Sequence, residues 1–262
     1  TTFHQIMVNN FLSYITLTPW YLWSNEKGSV FTNKEAKYLF KIIPFTKGFG
    51  GHTVRSYLEY EKAFNCQIDY ITFLREPISR YISHFLYQKG VKKIKWSINQ
   101  FIDDKRFNNY MTNRISLNSD INEAKQSLLE KFTFVGLVEK FDESLILLKN
   151  ELKINNFCIN YEKENVKLNI DYKESDFLDD PKIRNKIYQN NQLDIELYNF
   201  AINVVFKKYK DRFGKNLQKE TKFFRKSNLD FQFNKNKKLL AKTYRLLIYK
   251  NIEHIIKVLF HK

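Results

Sequence analysis

Gln67-Ile68-Asp69-Tyr70-Ile71-Thr72-Phe73-Leu74-Arg75-Glu76-Pro77-Ile78-Ser79-Arg80-Tyr81-Ile82-Ser83-His84-Phe85 decides how the rest of this 262-residue chain is read. Gln67 to Leu74 form a β-branched and aromatic run suited to a buried strand. The run stops at Arg75-Glu76-Pro77, and Pro77 suits the first turn of a helix, where its missing N–H is not needed. Ile78, Ile82, Phe85 and Leu86 then supply a helical apolar stripe. A strand ends, an arginine follows, and a helix begins with Ser83 two turns along. In an open parallel sheet, ligands sit beyond the carboxyl ends of the strands. Arg75 at that edge can donate a bidentate pair to a phosphate. The Ser83 hydroxyl, eight residues on, reaches the same group if the helix leans across it. The same residues also read as an arginine salt-bridged at a helix start beside a solvent-facing serine, and spacing alone does not separate the two.

Outward from this unit the pattern repeats. Phe132-Thr133-Phe134-Val135-Gly136-Leu137 reads as a second strand, followed by a helix capped by Asp142 with Leu145, Leu148 and Leu152 on one face. Asn191 to Phe213 reads as a helix with Leu193, Leu197, Phe200, Ala201, Val204 and Val205 on one side and Gly214 as its stop. Towards the start, residues 3–16 read as a helix and 17–35 as an aromatic loop. Lys47-Gly48-Phe49-Gly50-Gly51-His52 reads as a turn, holding three of the seven glycines. Residues 155–180 read as loops with a short strand. Residues 237–260 read as an amphipathic helix on Leu240, Tyr244, Leu247, Ile248, Ile252, Ile255, Ile256 and Leu259. Strands separated by long helical stretches define an α/β protein with a mainly parallel sheet.

Composition sets outer bounds. Hydrophobic residues make up 43% and charged residues 27%, ordinary for a soluble globular chain. The net charge of +16 attracts polyanions: nucleic acids, anionic lipid surfaces, acidic glycans and nucleotides with several phosphates. From Lys215 to Lys262 there are 13 Lys and Arg against 3 acids, so this tail carries +10 of the +16. Cys66 and Cys158 are too few for a zinc site or a dense disulfide framework. They read as two buried thiols of a reducing compartment, or as one bridge in an oxidising lumen. No window has the apolar length to span a bilayer. The chain opens on Thr1 rather than Met, so it is expected to be a fragment whose upstream part, a membrane anchor included, lies outside it.

Arg75-Glu76-Pro77-Ile78-Ser79-Arg80-Tyr81-Ile82-Ser83-His84-Phe85 resembles the 3′-phosphate-binding motif of sulfotransferases that use 3′-phosphoadenosine 5′-phosphosulfate (PAPS), in the style of the Golgi and bacterial carbohydrate enzymes and closest to the heparan-sulfate and uronyl 2-O type. Phe134 to Leu145 and Asn191 to Tyr198 resemble further stretches of that family. So does Asn109-Tyr110-Met111-Thr112, although Asn113 stands where the family usually has arginine. The resemblance covers residues 1 to about 213 and implies that Arg75 and Ser83 hold the nucleotide's 3′-phosphate. Thr1-Thr2-Phe3 resembles the end of the family's phosphate loop. Thr1 and Thr2 would then meet the 5′-phosphosulfate with their hydroxyls and the free N–H groups of a helix N-terminus. The loop's lysine and the first strand would lie upstream, which leaves open that the chain as given is inactive. The resemblance also gives His52 the base's role, taking the acceptor hydroxyl's proton, with Gly50 standing where the 2-O type has another histidine. His4, His84, His254 and His261 read as structural.

Together these readings imply a P-loop-type three-layer α/β domain over residues 1–214, with a central parallel sheet of about five strands, and a basic helical tail over 215–262. The expected reaction is in-line sulfuryl transfer from PAPS to a hydroxyl, a carbohydrate's by motif style, with no metal implied. The compartment is a reducing cytoplasm or, behind an upstream anchor, the Golgi lumen. The tail reads as a packing helix with a cationic face, then as a membrane-surface contact, then as a contact for acidic glycans. Nucleic acid is disfavoured because the tail's aromatics fall on its apolar face. The rival readings are a P-loop kinase-like phosphotransferase, which would need Mg²⁺ and ATP, and a non-enzymatic polyanion binder built on the tail.

Overall fold

The computed structural model describes residues 2–17, 30–162, 175–244 and 246. The chain is of mixed helix and strand, and its strands pair in parallel. Two compact units form, one from residues 1–68, 153–164 and 219–262, the other from 69–152 and 165–218.

The first unit opens with α1 (Thr2–Asn10), then β1 (Tyr14–Thr16), α2 (Asn33–Ile42), β2 (Gly48–Gly50) and α3 (Tyr60–Phe64). α2 starts where Thr32 and Glu35 exchange hydrogen bonds in a capping box, each satisfying an N–H that the first turn leaves over. β1 and β2 pair in parallel, Tyr14 with Gly48 and Thr16 with Gly50. Ile6, Ile15, Phe31, Leu39 and Tyr60 are buried in this unit, each burial stabilising by roughly 1.5–3 kcal/mol before entropy is counted. Two expectations fail here. The helix expected over 3–16 stops at Asn10, and the glycine-rich turn is in part a strand. Most of the loop expected over 17–35 lies outside the described residues.

The second unit carries β3 (Tyr70–Leu74), α4 (Pro77–Gly90), α5 (Ile98–Asp103), α6 (Thr112–Ile115), α7 (Ile121–Glu130), β4 (Phe132–Leu137) and α8 (Phe141–Leu152). After residue 174 come α9 (Ser175–Leu178), α10 (Pro181–Asn190), α11 (Gln192–Phe200), a π-helical turn over Ala201–Phe206, and α12 (Lys207–Phe213). β3 and β4 pair in parallel, with Leu74 opposite Leu137, so the two strands end level. The Ser144 hydroxyl donates to Leu137 O and accepts from Leu137 N, fixing α8 against the end of β4. Ile78, Tyr81, Ile82 and Phe85 of α4 pack with Phe101, Phe107 and Ile187 in one cluster. Asp142 does not cap α8: a 3₁₀ turn over Val138–Lys140 runs straight into the helix, leaving Asp142 in its first turn.

The short strand expected within 155–180 is not found among the described residues. The backbone of the segment before residue 163 pairs instead with two asparagine amides. Asn10 exchanges two hydrogen bonds with Cys158, and Asn228 two with Tyr161, each side chain doing what a neighbouring strand would do. α13 (Leu217–Ser227) buries Thr221 and Phe224, and α14 (Lys235–Tyr244) comes after it. The helix expected over 237–260 is thus met at its start, and the rest lies outside the described residues. Both cysteines are free, and Cys66 is exposed rather than buried.

Candidate functional site

The β3–α4 junction is built from the strand-to-helix stretch around Arg75. Pro77 takes the first helical position of α4, and the Glu76 side chain accepts from Ile78 N (3.1 Å) and Ser79 N (2.7 Å). The free N–H groups of this helix start are therefore met by a carboxylate of the chain itself. Glu76 N donates to Glu139 Oε1 (2.8 Å), and the Tyr198 hydroxyl donates to Glu139 Oε2. Burial, and then Glu139, push the Tyr198 phenol above its ordinary pKa, so it keeps the proton it donates. Glu139 lies just past the end of β4 as Arg75 lies just past β3, and the two strand ends are tied by one side chain.

Arg75 Nη1 donates to Ser83 Oγ at 3.2 Å. Both residues are half-buried. Among the described residues Arg75 has no carboxylate within ion-pair distance. Arg80, one turn further on, donates to Asn191 Oδ1 (3.0 Å) and lies 3.8 Å from the buried Asp194 carboxylate. Burial lowers the Arg80 pKa, and the positive charge of Arg75 lowers it further. A half-buried guanidinium with a hydroxyl partner and no counter-ion among the described residues is a donor that fits a phosphate. The anion would be held by side chains, since Glu76 already takes the α4 amides.

Arg80 also joins a buried polar clasp that sequence reading saw only as separate stretches. Asp194 accepts from Met111 N (3.0 Å), Thr112 N and Thr112 Oγ1 (both 2.8 Å). Asn109 Oδ1 in turn accepts from Leu193 N (3.0 Å) and Asp194 N (3.4 Å). The Arg114 guanidinium stacks on the Tyr110 ring at 3.2 Å from its centroid, with Arg80 at 4.9 Å.

Thr2 and His52 belong to the first unit, Arg75 and Ser83 to the second. Thr1 lies outside the described residues, as do His254 and His261. Thr2 is the first residue of α1, whose first turn carries no acid. His52 is exposed in the turn after β2, and its carbonyl accepts from Arg55 Nη1 at 2.6 Å. Gly50 and Gly51 before it have no room for a side chain. A Cβ on Gly50 would stand 2.0 Å from the Tyr14 hydroxyl and 3.2 Å from His4 Cε1, and one on Gly51 would stand 2.4 Å from Leu17 O. His4 Nδ1 lies 2.8 Å from that hydroxyl. Burial raises the Tyr14 phenol above its ordinary pKa. His84 sits edge-on to Phe101, Phe107 and Tyr110, and the Gln88 amide nitrogen donates to its Nε2 at 3.1 Å.

Glu139, Tyr198 and Asp194 are the site-forming residues that single-residue reading missed. A signal existed for Glu139, a carboxylate placed just after a strand, as Arg75 is. Among the described residues no three His, Cys, Asp or Glu side chains are grouped as a metal site requires. The chain matches no protein-family model and no curated protein.

Proposed function

We propose that the chain is a PAPS-dependent sulfotransferase acting on a hydroxyl of an acceptor, a carbohydrate being the expected class. The observation that carries this reading is the half-buried Arg75 guanidinium, bonded to Ser83 and without a counter-ion among the described residues, just beyond the level ends of two parallel strands. Arg75 and Ser83 hold the 3′-phosphate, and the family resemblance gives the 5′ end to Thr1 and Thr2. His52 takes the proton of the acceptor hydroxyl as its oxygen bonds to sulfur. The bond from sulfur to the phosphate oxygen breaks, and 3′-phosphoadenosine 5′-phosphate leaves. Positioning and fixed positive charge supply most of the rate, as in phosphoryl transfer. The reading carries with it a P-loop-type three-layer architecture with a central parallel sheet.

Calorimetry and thermal shift with 3′-phosphoadenosine 5′-phosphate, 5′-AMP and ATP with Mg²⁺ test it. The first ligand should stabilise the protein selectively, and Arg75→Ala should weaken its binding by about 2–4 kcal/mol, the scale for losing one partner of a buried charged hydrogen bond. Preference for ATP with Mg²⁺ would support the kinase-like reading instead, and unchanged affinity in Arg75→Ala would remove Arg75 from the site. His52→Ala should lower turnover while nucleotide binding stays near that of the unsubstituted chain.

A further inference from the structure

The tail presents a combination that its charge alone does not explain. On α13 the buried side is Thr221 and Phe224, yet Phe223 stands 71% exposed on the other. Lys219 and Lys226 lie on the same helical face, one turn before and after it, and Lys222 is its neighbour. Leu229 is 69% exposed, and on α14 Leu239 and Leu240 are 64% and 56% exposed. Lys219, Lys222, Lys226 and Lys235 make no ion pair with any described residue. Large apolar side chains held in water, beside lysines that outnumber the neighbouring acids Glu220 and Asp230, form the pattern of a surface that lies on a membrane.

We propose that residues 219–244 dock the protein on an anionic lipid bilayer. Phe223, Leu229 and the two α14 leucines enter the headgroup boundary while the lysines meet lipid phosphates and carboxylates. Three alternative occupants fit less well. Bases stack on aromatics, whereas three of the four apolar groups are leucines, which favours hydrocarbon over nucleic acid. A second copy would bring +16 against +16 through the most basic part of each chain. An acidic glycan would use the lysines but gives the leucines nothing to enter. The contact is peripheral: no described helix is long and apolar enough to cross a membrane. This inference does not depend on the sulfotransferase reading.

Co-sedimentation of the full chain with vesicles of phosphatidylcholine alone, and with about one third phosphatidylserine, tests it. Binding should require the anionic lipid and weaken as salt rises. Phe223→Ser with Leu229→Ser, both exposed and so tolerable to the fold, should lower partitioning about tenfold, and Lys219→Glu with Lys222→Glu and Lys226→Glu should abolish it. Circular dichroism and a melting curve confirm that both variants are folded. Failure to sediment with anionic vesicles overturns the proposal. So does binding that ignores the serine substitutions, or that RNA or a sulfated glycan displaces while the same substitutions leave polyanion binding intact, since charge alone then accounts for it.

Discussion

A hydrogen atom is all that position 50 can hold. Tyr14 lies across β2 so that its hydroxyl occupies the place of a Gly50 Cβ, at 2.0 Å, and the ring carbon behind it would stand at 3.1 Å. Gly50→Ala must therefore push aside Tyr14, and with it the bond to His4 Nδ1. Overpacking of this kind costs about 1–3 kcal/mol, and urea unfolding should read that loss. Tyr14→Phe in the same chain removes the clashing oxygen and should recover part of it. If Gly50→Ala unfolds at the same urea concentration as the parent, Tyr14 does not sit there in solution. This packing also explains what sequence reading missed. Gly48-Phe49-Gly50 has almost no strand propensity, and its strand exists because Tyr14 supplies from β1 the bulk that the glycines lack. The Arg75–Ser83 contact was legible because it is local: a helix begun at Pro77 turns Ser83 back towards the residue before its cap. Glu139 and Tyr198 were not, lying 63 and 59 residues from their partners.

Two short helices satisfy each other's ends. α6 has four residues and no side-chain cap of its own, and α11 has none either. Asp194, in the first turn of α11, accepts from the N–H groups at the start of α6, while Asn109, just before α6, accepts from those at the start of α11. The exchange joins parts of the chain 82 to 85 residues apart. Arg80 of α4 closes it from the third side. Sequence reading placed all three segments and could not pair them, because a cap given to a remote helix leaves no periodic trace. Asp194→Ala would leave two backbone donors unmet and Arg80 buried without its carboxylate. Breaking one partner of such a pair costs about 3–5 kcal/mol, and chemical denaturation should show a loss of that size. Asn109 has φ of 44°, which asparagine tolerates. Asn109→Gly keeps that backbone and removes only the side chain's hydrogen bonds to α11, so it should cost about 1 kcal/mol. Equal effects of the two substitutions would mean that the carboxylate's pairing with Arg80 adds nothing.

Across the whole molecule two charge effects oppose one another as the solution turns alkaline. Deprotonating lysines lowers the net charge from +16 and relieves self-repulsion, which favours the compact state. These charges are mostly on the surface and are screened within about 8 Å at physiological salt. The buried tyrosines act in the other direction. Burial pushes Tyr81 and Tyr209 up to about 12 from an ordinary value of 10.0, and raises Tyr14, Tyr60 and Tyr198 as well. Unfolded, these phenols lose their protons near pH 10, whereas the folded chain keeps them to higher pH. Between those limits the folded state binds more protons, so stability is complete below about pH 10 and falls as pH rises towards about 12. These phenols lie in the interior, where salt does not screen them as it does the surface lysines. Urea unfolding in moderate salt from about pH 9 to about pH 11 should therefore give a steadily falling stability, with the share of tyrosinate absorbance that belongs to the buried phenols appearing only as the chain unfolds. Tyr209→Phe removes a phenol stacked on Phe134 at 5.0 Å and should flatten that slope by up to one proton. A flat profile, or a slope untouched by Tyr209→Phe, would mean that this phenol is open to solvent in the folded protein.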